Sequence, residues 1–129
     1  MMSETPCNAQ VRAGRLAKAQ QFLAAATLIE DAVSDETADA YVTLCVHAGI
    51  AAADVICCAR LGRHAQGDNH AEATALLRKA NDADSAKRLE VLLSMKSKAG
   101  YTHLPTSSAV RDGFVAPGVC GRGGIKGAT

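Results

Sequence analysis

The sequence predicts an all-α domain, an up-and-down bundle of four to five helices. Alanine recurs throughout while aromatics are scarce, with two Phe, two Tyr and no Trp, which favours closely packed helices over sheets. Apolar residues return at three- and four-residue steps over several long segments, the spacing of one buried helix face. At 129 residues the chain is one domain, long enough to bury a core without a structural metal or disulfides. The bundle is expected over residues 8–101, with an irregular Gly/Pro-containing tail over 102–129.

The first helix is read from about Asn8 to Val33, because Ala19, Phe22, Ala26, Ile29 and Val33 form one stripe that Arg12, Arg15, Lys18 and Gln21 mostly avoid. Ser34 to Thr37 reads as a turn. A second helix from Glu36 or Ala38 to Leu61 is apolar nearly all round, which makes it the central one. Asn69, with Glu72 three residues on, has the spacing of a capping box for a third helix carrying Ala73, Leu76, Leu77 and Ala80. The fourth runs from about Asp84 to Ala99, buries Leu89, Leu92 and Leu93, and is expected to stop at Gly100. Pro105 and Ser107 could open a short fifth helix through Val115. Pro117 and six glycines between Gly113 and Gly127 prevent its continuation.

Net charge is +1, too small for a global field that would announce nucleic-acid binding, so the placement of charges has to carry that argument. If four helices alternate in direction, one end of the bundle collects Arg12, Arg15, Arg60, Arg63, His64, His70, Lys96, Lys98 and Tyr101, and the other Glu30, Asp31, Asp35, Glu36 and Asp39. Basic residues also complement helix C-terminal dipoles, an alternative that covers Lys96, Lys98 and Arg63. The five cysteines include no Cys-x-x-Cys pair, so neither a disulfide framework nor a zinc knuckle is indicated, and reduced thiols in a cytoplasmic protein are expected. Met1 to Gln10 lacks a signal-peptide pattern. The long apolar run contains His47 and Asp54, so no membrane span is expected.

The chemically informative stretch is Arg63-His64-Ala65-Gln66-Gly67-Asp68-Asn69-His70, in which a fixed cation and an imidazole are separated by six residues at a bundle end. Such residues are also ordinary loop residues. Asp54 interrupts the apolar central helix and needs a partner. It either orients Arg63 or a histidine, or pairs with Arg15 or Lys18 of the first helix. His47 is expected to be a satisfied core histidine. No Glu-x-x-His pair supports a metal centre, and neither metal nor cofactor is expected.

The ordered set of features resembles the HEPN superfamily of small helical bundles over about residues 8–101. An alanine-rich helix ends Arg60-Leu61-Gly62-Arg63, a glycine-containing loop leads to His70, and a later helix closes Met95-Lys96-Ser97-Lys98-Ala99-Gly100-Tyr101. The resemblance implies that Arg63, His64 and His70 occupy the places of that family's RNase motif, an arginine and a histidine with four to six residues between them and a polar residue commonly next to the arginine, here at the long end of the spacing. It further implies supporting phosphate-contact roles for Lys96 or Lys98 and for Tyr101; Arg60 joins them as a candidate substrate-binding residue through its place on the basic pole, and Asp54 as a supporting one through its need for a partner. The Gly/Pro-rich tail departs from the helix that often completes such bundles.

These residues could run RNA cleavage without metal. The reaction needs a base for the 2′-hydroxyl, an acid for the leaving 5′-oxygen and a cation on the phosphoryl oxygens, and a homodimer would supply two copies of each group. The resulting expectation is an RNA-binding protein or metal-independent endoribonuclease, the toxin-like member of a toxin-antitoxin pair with a nucleotidyltransferase-type partner. The alternatives are a non-catalytic interaction module that binds a protein or nucleotide through its basic pole and, third, a ligand-binding bundle.

Overall fold

The computed structural model describes residues 4–66 and 70–105. In chain order its elements are strand β1 (Glu4–Pro6), helix α1 (Ala9–Ile29) with a 3₁₀ turn (Glu30–Ala32), α2 (Ala38–Leu61), strand β2 (Arg63–Ala65), α3 (His70–Lys79) and α4 (Ala83–Tyr101). The predicted cap Asn69, the short fifth helix from Ser107 to Val115 and most of the predicted tail lie outside the described residues.

Local chemistry sets the helix limits. Asn8 caps α1 by accepting the Val11 N–H at 2.9 Å. The helix ends at Ile29, short of the expected Val33, because residues 30–32 tighten into the 3₁₀ turn and Val33 is extended. Gly62, at φ +72°, caps α2 by donating its N–H to Cys58 O at 3.1 Å and turns the chain into β2. Asn81, at φ +62°, closes α3: its own N–H reaches Arg78 O and that of Asp82 reaches Leu77 O, each at 3.0 Å. Asp82 then caps α4 by accepting the Ser85 N–H at 3.1 Å. Gly100 does not stop α4, which continues to Tyr101; Thr102 follows in extended conformation, and its hydroxyl donates to Lys98 O at 3.0 Å.

Helix α2 is the core, as its composition predicts. Its N-terminal half, with Tyr41, Val42, Cys45 and Val46, packs against Ala26 of α1 and Leu92 of α4, while Ala53, Ile56 and Cys57 pack against Leu76 and Leu77 of α3 and Ala86 and Leu89 of α4. Both α1 and α4 therefore run antiparallel to α2. Ala38–Leu61 is long and apolar enough to cross a membrane, but 72% of its most apolar window is buried inside the fold, the position of a core helix.

The direction of α4 differs from the expected alternation. Helix α3 has 10 residues against the 24 of α2, so it spans about 15 Å and does not traverse the bundle. The chain enters and leaves α3 at the α2 C-terminal end, and α4 then descends along α2. The end of α4 accordingly lies beside Thr43, at the opposite end from Arg63.

Small residues make the α1–α2 contact, where Ala19 meets Ala51 and Ala52. Ala52→Leu should overpack this seam and cost about 1–3 kcal/mol, read by urea unfolding. An unchanged midpoint would show that the seam yields without strain.

Candidate functional site

The C-terminal end of α2 gathers the groups singled out from the sequence around a small antiparallel ladder that helical periodicity did not predict. Glu4 pairs with Ala65, Thr5 with His64 and Pro6 with Arg63. Successive strand residues leave opposite faces, so Arg63 and His64 diverge instead of facing one phosphate together. On one face the Arg63 guanidinium donates from Nε to the Glu4 carboxylate, and from Nη1 to Leu61 O at 3.3 Å. On the other, His64 Nδ1 donates to Ala65 O at 2.7 Å and stands 3.9 Å from Asp54 Oδ1. A carbonyl only accepts, so Nδ1 carries the proton and neutral His64 keeps its lone pair on Nε2. The imidazole thus has a defined tautomer, and its side chain is 16% exposed.

Behind it lies Asp54, whose two alternative partners are both present. Arg15 Nε donates to Asp54 Oδ2 at 2.8 Å, and the His64 ring faces the other oxygen. Burial pushes the Asp54 carboxyl up from its usual range, with Arg15 and His64 pulling it partly back. Burial, reinforced by the Asp54 charge, also pushes the Cys57 thiol up to about 12, which keeps it protonated and unreactive.

The remaining predicted contacts do not assemble there. Arg60 donates from Nη1 to Ala80 O at 3.1 Å and lies 3.6 Å from Asp82 Oδ2, so it ties α2 to the α3–α4 turn instead of standing ready for substrate. Lys96 lines a cleft of about 110 Å³ with Thr43, Val46, His47 and Gly100. From Thr43 to Arg60 along α2 is about 25 Å, so Lys96, Lys98 and the backbone of Tyr101 belong to the far end and cannot share a phosphate with Arg63. The basic pole is correspondingly weaker than expected, since Arg15, Arg60 and Arg63 each face a carboxylate. His47 is exposed instead of core, stacked on Phe22 with ring centroids 5.1 Å apart. His70 opens α3 and is half-buried.

The expectation of reduced thiols is overturned as well. Cys7, next to β1, is disulfide-bonded to Cys58 near the end of α2, across a sequence separation of 51, and Cys45 is disulfide-bonded too. Among the described residues the free thiol is Cys57. No local spacing announces such a bridge; it follows from β1 folding back beside β2. Also among the described residues, no group of three or more His, Cys, Asp or Glu side chains is placed to hold a metal ion. No family model, curated protein or solved structure matches the chain.

Proposed function

We propose that this protein binds RNA at the β2–α3 end and cleaves it without a metal, in the manner of HEPN ribonucleases. The observation that carries the reading is the His64 imidazole, held in one tautomer by Ala65 O and backed by the buried Asp54 carboxylate beside the strand that bears Arg63. A ring so oriented is suited to taking a proton through Nε2. In the proposed reaction a base removes the 2′-hydroxyl proton, the 2′-oxygen attacks phosphorus, and an acid protonates the departing 5′-oxygen, leaving a 2′,3′-cyclic phosphate. His64 and His70 supply base and acid, within one protomer or across a two-fold homodimer. Because Arg63 leaves the opposite face of β2, it holds a neighbouring phosphate of the same strand. A nucleotidyltransferase-type partner and a cytoplasmic setting belong to the same proposal, the disulfides being a form that makes and breaks there.

The test is incubation with single-stranded RNA in EDTA. Cleavage should persist, leave a cyclic phosphate, and fall about 100-fold or more in His64→Ala and in His70→Ala, the loss typical of a missing general acid or base. Loss of cleavage on chelation would sink the mechanism. Salt-sensitive binding without cleavage would instead favour the non-catalytic interaction module.

A further inference from the structure

The N-terminal segment covers the arginine that the RNA reading needs. Four contacts hold it: the β1–β2 ladder, the Glu4 carboxylate on Arg63 Nε, the Cys7 N–H donated to Gly62 O at 3.1 Å, and the Cys7–Cys58 disulfide. The first three are weak on their own. A three-residue, two-stranded ladder does not persist in water by itself, and the Arg63 and Glu4 side chains are 39% and 25% exposed, so solvent screens their attraction. The disulfide is the one strong tie. It sits immediately before the Asn8 cap, so breaking it leaves α1 anchored on α2 through Ala19 and Ala26 while freeing the residues ahead of it.

We propose that β1 is a redox-held strap that blocks phosphate binding at Arg63. The inference rests on the RNA reading of this end. In the oxidised chain Glu4 occupies the guanidinium as a phosphate would, one carboxylate in place of one phosphodiester. A dithiol reductant supplies two electrons and two protons: its thiolate attacks one sulfur of the Cys7–Cys58 bond, the resulting mixed disulfide is resolved by its second thiol, and the products are two cysteine thiols and the oxidised reductant. β1 then leaves β2, and Arg63 exchanges Glu4 for RNA. The neighbouring Cys57, protonated and buried, does not compete in the exchange.

The experiment uses the full chain, oxidised or reduced with dithiothreitol, and two measurements. Hydrogen exchange at the β2 amides reads the strap directly; binding of a fluorescent oligouridylate at low salt reads its consequence. Reduction should remove protection at β2 and tighten binding about tenfold, the factor one added charge-assisted contact gives. Cys7→Ser, which leaves the Cys45 disulfide intact, should behave as reduced under both conditions, and Glu4→Gln should tighten binding in the oxidised chain. Arg63→Ala should abolish the difference between the two forms. Unchanged β2 protection on reduction, or equal binding by the two forms where Arg63→Ala weakens it, overturns the strap and leaves the RNA reading standing. Protection lost on reduction with RNA bound in neither form overturns the RNA reading, and the gating with it.

Discussion

Arg15→Met is expected to destabilise the fold by about 3 kcal/mol at neutral pH, and by progressively less as the pH falls. Removing one partner of a buried ion pair leaves the other charge uncompensated, at a cost of about 3–5 kcal/mol. The lower end applies because the Arg15 side chain is 29% exposed, although that of Asp54 is only 10% exposed. The pH dependence follows from Asp54. Its folded carboxyl is raised above the unfolded value by burial, so it contributes stability that is present at low pH and lost as pH rises through the raised value. Arg15 moderates that rise, and without it the folded carboxyl titrates higher still. The gap between variant and wild type therefore widens with increasing pH and narrows in acid, where Asp54 is neutral in both. Urea unfolding of the two proteins across a pH series checks this; a gap independent of pH would mean that Asp54 ionisation is not what Arg15 stabilises.

The same carboxylate shows why the site was only partly legible in the sequence. A charged residue inside an apolar helix must be compensated, so Asp54 announced a partner from across the α1–α2 seam, and Arg15, its candidate from the first helix, is there. The long helices were legible for a similar reason, since Leu89, Leu92 and the alanines of α2 repeat at the helical period whatever they pack against. Direction and long-range pairing carry no such local signal. The sequence bounds the third helix between Asn69 and Asp84, but no local signal says that so short a helix turns the chain back at the α2 C-terminal end, which sends Lys96 and Tyr101 to the far end. Likewise Glu4 and Cys7 look unremarkable in sequence. Their roles appear once Gly62 turns the chain and β2 gives β1 a strand to pair with. His64 shows both limits: its presence near the basic end was readable, while its single tautomer depends on a carbonyl that only the folded turn supplies.

Leu76→Ala is expected to cost about 2–5 kcal/mol and to remove protection from α3 before the rest of the bundle opens. Leu76 and its neighbour Leu77 are fully buried, filling the space between α3 and the Ile56, Cys57, Ala86 and Leu89 surfaces of α2 and α4. With 10 residues α3 is too short to be stable as an isolated helix, so its order is borrowed from these two anchors. Cutting one to alanine leaves a cavity under the element that His70 opens, whereas α1 and the N-terminal half of α2 keep their own contacts around Tyr41 and Ala26. The variant should thus show fast exchange at the α3 amides with near-native protection in α1, together with a lower unfolding midpoint. Under the proposed function, RNA cleavage should fall even where most molecules remain folded, because the proposed acid–base pair needs His70 fixed relative to β2. Uniform loss of protection across all helices would show that α3 folds in one cooperative unit with the bundle. Full protection of α3 would mean that Leu77 and the Asn81 and Asp82 turn hold it without Leu76.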